Sequence, residues 1–409
     1  MFRSSLAAFV LLTSVASAST LRVPKDFPTI QDAVDAAVSG DTIRVAKGTY
    51  FENVVVPVGK NDLTIRGSGP ATIVDARPFG PVGSGPALEV TADGFRLENL
   101  TARFALGFTP SVIRIAGDDA VVRRVRVYGG DDQGIVVLGE RARIERCAVR
   151  GGDVGIFVAG NDASVRDCVV STVHGMGVGV SGSHVLIRGC RVANAGETAI
   201  AAVGLDIAVE KNRVAGTGDD ALLVSTDHVR AIGNVVRHSA GSHGGIVVDG
   251  ATSGVVAKNV LSDCDGPGLA MLPTTSSVAL VGNRAVRCGR ADLAAIVLDG
   301  ADCSVVNNRA VDSPGDAFMI TGLGNELTKN VALRSALDGF DVGASTMLSK
   351  NVARDNHAEG FAVVVLGVSM SGNHAQRNRI DIASSFALDA FVGNQFGTGG
   401  EGVSPVIDD

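Results

Sequence analysis

Gly218-Asp219-Asp220-Ala221 sets two carboxylates side by side, and Ser242-His243-Gly244-Gly245 follows about one repeat later. Upstream, His174 and Glu197 occupy comparable places, and five of the seven histidines (174, 184, 228, 238 and 243) fall within a 70-residue stretch. An acid, a base and an imidazole that titrates near neutral pH are the parts of general acid–base catalysis. If successive repeats stack, carboxylates one or two repeats apart stand roughly 5–10 Å from each other, which spans both geometries of glycosidic hydrolysis. The same acids sit in a longer series before each apolar run: Asp132, Asp153, His174, Glu197, Asp219/Asp220, His243, Asp265, Asp292, Asp316, Asp338, Glu359 and Asp381. Aspartate at a turn also bonds the backbone two residues on, so most of this series reads as turn chemistry. The doubled Asp219/Asp220 and the histidine after it are the departures that point to a site. A calcium ion held by Glu197, Asp219 and Asp220 is a lesser expectation for the same acids.

The elements that must position these residues are visible as a repeat. A small polar column runs through Cys147, Cys168, Cys190, Asn212, Asn234, Asn259, Asn283, Asn308, Asn330, Asn351, Asn373 and Asn394, at intervals of 21 to 25 residues. Val125 and Asn99 extend it upstream. Each unit holds short β-rich runs, such as Ile135-Val-Val-Leu138, separated by Gly, Asn or Asp, with no sustained 3.6-residue period. Units of about 22 residues are too short for helical repeats or propeller blades, and the Leu-x-x-Leu-x-Leu pattern is absent. A parallel β-helix remains, in which each strand pairs with its equivalent one coil away, about 4.8 Å along the axis. Asparagine in every coil then passes its amide bond to the next, which satisfies a buried polar group without water. About thirteen coils imply a rod of roughly 60 Å.

Composition agrees. The 409 residues include 52 Gly, nearly twice the usual ~7%, and only 15 Phe, 2 Tyr and no Trp. A net charge of −7 leaves no basic excess for nucleic acid. Residues 1–18 carry Arg3, a short apolar run and Ala16-Ser17-Ala18, a Sec-type signal that implies a secreted or periplasmic protein. No later stretch has about 20 unbroken apolar residues, so no integral membrane segment is expected. The expected organisation is 1–18 signal, 19–94 N-terminal cap and first coils, 95–397 repeats, and 398–409 a polar tail. Thr29 should cap a helix whose Ile30, Ala33, Val34, Ala37 and Val38 plug the first coil. Phe386, Phe391 and Phe396 should close the last. Cys264 and Cys288, each five residues after their Asn, should stack, either as small apolar core residues or as a disulfide.

The segment Phe27-Pro-Thr-Ile-Gln-Asp-Ala-Val through Tyr50-Phe-Glu-Asn53 resembles the N-terminal module of secreted proteins of the pectin-lyase-like superfamily. With the Asn coils after it, the resemblance implies an all-β fold: a single-stranded right-handed parallel β-helix with a short capping helix. Asp219, Asp220 and His243 are similar to the Gly-Asp-Asp and Gly-His-Gly elements of polygalacturonase-type glycoside hydrolases. That implies paired acids at 219 and 220 with His243 assisting, and Glu197 stands where an Asn-Thr-Asp element would lie. The Arg-x-Lys element of those enzymes is missing. Gly48-Thr49-Tyr50-Phe51-Glu52 looks like the opening motif of pectin methylesterases, whose later elements are absent. The expectation is an exported protein that binds or processes an extended polysaccharide, and as an enzyme it would be a glycoside hydrolase or a polysaccharide lyase. The alternative is a non-catalytic envelope scaffold, adhesin or metal-handling accessory, since the coils also resemble periplasmic copper-site assembly proteins.

Overall fold

The computed structural model describes residues 18–76, 85–104, 111–129 and 133–397. The signal reading for 1–18, the tail 398–409 and Asp132 fall outside these residues, apart from Ala18. The described chain winds through about 16 right-handed turns, more than the thirteen that the column marks, because strands begin at Thr20–Val23. Three all-parallel sheets of 17, 15 and 16 strands run along the rod, each strand bonded to the strand one turn away. Stacking of parallel strands makes the rod roughly 75 Å long. The 17-stranded sheet precedes the Asn column, the 16-stranded sheet follows it, and the 15-stranded sheet completes each turn.

Side-chain alternation fills the interior. In the 15-stranded sheet one inward position reads Ile113, Ile135, Ile156, Val178, Ile200, Leu222, Ile246, Leu269, Ile296, Phe318, Phe340, Phe361 and Ile382, each in register with the next. β-Branched and aromatic residues suit a pleated surface buried on its inner side. The rings of Phe318, Phe340 and Phe361 stack with centroids 4.7 and 4.9 Å apart, close to the rise of one coil.

The Asn ladder forms as expected. From Asn212 to Asn373, each asparagine donates from its backbone N–H and its Nδ2 to the Oδ1 of the next, and from Nδ2 to a backbone carbonyl of the preceding coil. Every amide is thereby satisfied in a dry interior. Upstream the column passes through Val125 to Leu100, and Asn99 stands one place early, as the left-handed residue of the corner (φ 59°). Such corners are not chiefly glycine. Of the fourteen left-handed residues that immediately precede the column, only 189, 233, 282, 372 and 393 are Gly, and Arg, Lys, Asp or Asn take the rest. A second, shorter ladder that the spacing does not advertise joins Ser335, Asn356, Asn378 and Asp381 at another corner.

The ends are closed largely as foreseen. Thr29 Oγ1 accepts from the Asp32 N–H (3.0 Å) and caps helix Ile30–Ala36, which buries Ile30, Ala33 and Val34 over the first coils. Val38, half exposed, does not join the plug. The Glu52 carboxylate accepts from the N–H groups of Ile30 and Gln31, both at 2.9 Å, and Tyr50 donates to the Ala46 carbonyl. The Gly48–Glu52 motif therefore serves the cap, where a negative charge meets a helix N-terminus. At the other end Phe391 and Phe396 stack at 5.6 Å, whereas Phe386 is exposed and does not pack with them. No described helix is long and apolar enough to cross a membrane.

Candidate functional site

The sequence-predicted residues lie on the turn that leads from the 16-stranded to the 15-stranded sheet. In Gly218-Asp219-Asp220 the glycine is dictated by stacking, since a Cβ there would stand 2.0 Å from the Gly196 carbonyl oxygen. Asp220 points inward and is almost fully buried. Its Oδ1 accepts from the Gly244 N–H (2.9 Å), and its Oδ2 lies 3.7 Å from His243 Nδ1. Burial pushes the Asp220 carboxyl up from its ordinary range; the Gly244 amide pulls the other way, the Asp219 charge adds to the rise, and His243 opposes it. Asp219 is exposed and is touched by the Thr198 hydroxyl (3.4 Å). His243 is exposed as well. Glu197, also exposed, stands one coil before Asp219 at the same place, about 5 Å away by the strand spacing. The structure thus brings Asp219, Asp220, His243 and Glu197 onto one patch of turn surface. The patch pairs a buried carboxyl, whose pKa burial raises, with open carboxylates and an imidazole. Proton donation to a leaving group and activation of a water are the chemistry such a set can perform.

The long acidic series is not one column. Register with the inward residues makes Asp220, Asp316, Asp338 and Glu359 equivalent, each two places before an inward residue. Asp153, Glu197 and Asp219 stand one place earlier, and Asp381 one place later. Asp220, Asp316 and Asp338 share one role. Asp316 Oδ1 accepts from the Asp338 N–H (2.8 Å) and Asp338 Oδ1 from the Glu359 N–H (2.7 Å), as Asp220 does from Gly244. Each carboxylate ties its turn to the turn of the next coil. Calcium is not supported at Glu197, Asp219 and Asp220, because among the described residues no three His, Cys, Asp or Glu side chains gather to hold a metal ion.

A second carboxylate cluster stands out only in three dimensions. Asp338 is pushed up to about 8 by burial and by its hydrogen bond to the Glu359 side chain. Asp316 is raised by burial, by Asp341 and by Glu359, and Asp341 by burial alone. Asp341 shares the outward column of the 15-stranded sheet with one other acid, Glu89, which is paired with Arg114 in the next coil; from Val136 onward the column reads Phe157, Gly179, Ala201, Leu223, Val247, Ala270, Val297 and Met319 before Asp341, then Ala362 and Ala383. The signal available in the sequence is an unbroken run of acids over three coils with a fourth three residues after Asp338.

All six cysteines are buried free thiols. Cys264 and Cys288 are in register on adjacent strands, as their spacing implies, but they are not bridged. Their mutual hydrogen bond and burial push the Cys264 thiol up, and the same bond holds Cys288 down.

Residues 111–239, 154–332 and 222–396 match the family described as the right handed beta helix region. No curated protein matches the sequence. Among solved structures, a double mutant of the tailspike protein of E. coli bacteriophage HK620 is 13% identical with a TM-score of 0.56, over 91% of this chain and 76% of that one. The A-module of mannuronan C-5 epimerase AlgE6 from Azotobacter vinelandii is 12% identical with a TM-score of 0.42, over 92% and 94%. An alginate lyase from Paenibacillus sp. is 14% identical with a TM-score of 0.42, over 71% and 94%. These likenesses concern the fold. The three matched stretches together run from 111 to 396, well over half of the 409 residues, and the chain belongs to the family of right-handed parallel β-helix proteins.

Proposed function

We propose that this protein is exported, binds an extended polysaccharide across the turns of the rod, and hydrolyses a glycosidic bond at the Asp219–Asp220–His243 patch. One observation carries the reading: Asp220 is a buried carboxyl kept toward its acid form, beside the open carboxylate of Asp219 and 3.7 Å from an imidazole. In this reading Asp220 donates the proton to the leaving oxygen. Asp219, with Glu197 one coil away, provides the second carboxylate, and His243 sets the charge around Asp220. A panel of soluble polysaccharides, assayed for new reducing ends and for unsaturated products, tests it. New reducing ends without unsaturated products support hydrolysis, and unsaturated products would replace it with lyase chemistry. The non-catalytic scaffold is favoured by a separate observation, that Asp220 makes the same coil-to-coil bond as Asp316 and Asp338. Under that reading the panel releases no product, and Asp220→Asn changes stability alone.

A further inference from the structure

The outer face of the 16-stranded sheet carries charge of the opposite sign to the chain as a whole. Across six successive coils it presents Arg191, Arg213, Arg237, Ser262, Arg284 and Arg309. Arg191 is in register with Arg213, and Arg284 with Arg309. These five arginines are exposed, and none of them makes an ion pair among the described residues. The six strands contain a single acid, Asp263 at a corner, and it is already bound to Arg287 at 2.6 Å. In a chain of net charge −7, this is a cationic stripe about 24 Å long: Arg191/Arg213 and Arg284/Arg309 share one register position, Val235 and Val260 occupy it in the two coils between, and Arg237 stands two residues further along its strand.

Midway along the stripe lies a depression of about 380 Å³, lined by Arg237, Arg284 and Arg287 with Val260, Ser262 and Val286, and by His238 and the Arg287-bound Asp263. A hydroxyl and two apolar side chains between guanidinium groups suit a ring with an apolar face and a carboxylate or sulfate at its edge. Two arginine pairs three coils apart, with Arg237 between them, suit a linear chain that presents such a group more than once along its length. We propose that this face binds a linear anionic polysaccharide. The proposal builds on the reading that the protein handles polysaccharide, but it uses a different surface from the Asp220 turn and needs no bond to be broken.

The test is fluorescence anisotropy with labelled oligogalacturonate, a neutral malto-oligosaccharide of equal length, and vesicles containing anionic phospholipid, using the full chain. The expected result is binding of the oligogalacturonate alone, weakened by added salt because the charges are exposed. The double variant Arg284→Gln/Arg309→Gln keeps side-chain length while removing two charges. It should bind about tenfold or more weakly, the loss of charge-assisted contacts, with an unchanged melting temperature. Product release is assayed on the same samples, and binding by a wild type that releases no product leaves this proposal standing when the hydrolase reading fails. Equal affinity in the double arginine variant would overturn the proposal. So would equal binding of the neutral oligomer, or binding to vesicles without binding to the oligomer.

Discussion

Replacing Asn283 by alanine should show what the ladder is worth. Asn283 is fully buried and connects three coils. Its Oδ1 accepts from the Asn259 N–H (3.0 Å) and Nδ2 (2.9 Å), and its Nδ2 donates to the Val256 carbonyl (2.8 Å) and to Asn308 Oδ1 (2.9 Å). Alanine strands the Asn259 amide, one of its side-chain hydrogens and the Val256 carbonyl without water to replace the partner. At about 1–3 kcal/mol for each stranded group, and less than additive for neighbours, the loss is about 3–5 kcal/mol. Asn394 at the end of the ladder makes similar bonds but is partly exposed, so water replaces them and Asn394→Ala costs only about 1 kcal/mol. Urea unfolding followed by far-ultraviolet circular dichroism gives both values, since the chain has no Trp. A difference between the two variants smaller than about 1 kcal/mol would refute the claim that the ladder contributes by satisfying buried groups.

Other consequences are as direct. Phe340→Ala removes the middle ring of the Phe318–Phe340–Phe361 stack and should cost about 3–5 kcal/mol in the same urea assay; a cost near 1 would mean that the neighbours collapse into the space. Asp338 holds its proton in the fold up to about pH 8, whereas an unfolded chain loses it near 3.8, so the native state binds more protons between these values and stability falls as pH rises through the window. Asp338→Asn cannot ionise and retains an acceptor for the Glu359 N–H, so it should gain stability relative to the wild type as pH rises from 4 to 8, and parallel profiles for variant and wild type would contradict this. All six thiols should resist a thiol reagent in the native protein and react in denaturant, while two missing in denaturant would reveal a Cys264–Cys288 bridge.

The fold was legible because its main constraint repeats. One asparagine per coil, required by one buried corner, marks the period even where coils vary from 21 to 25 residues. Register is harder to read. Variable coil lengths blur which residue faces which, so Asn99 reads as part of the column although Leu100 occupies it, and twelve positions, ten of them acidic, read as one series although Asp220, Asp316, Asp338 and Glu359 hold a different place from Asp153, Glu197 and Asp219. The corners themselves do not require glycine: a left-handed residue tolerates Arg, Lys, Asp or Asn where its side chain reaches solvent. At the site, the doubled Asp219/Asp220 and His243 do converge. The sequence does not show that Asp220 is held by the Gly244 amide, nor that Asp338 and Glu359 share a hydrogen bond, because both depend on burial and on contacts between coils.

Reducing-end release from the most responsive polysaccharide, compared among wild type, Asp220→Asn and Asp338→Asn, tests the central claim most directly. The two substitutions alter equivalent positions five coils apart, each tied to the next turn in the same way. The account predicts that Asp220→Asn abolishes release while Asp338→Asn retains it, and that wild-type activity falls as pH rises through the raised titration of Asp220. Unchanged release by Asp220→Asn, or loss confined to Asp338→Asn, would contradict it.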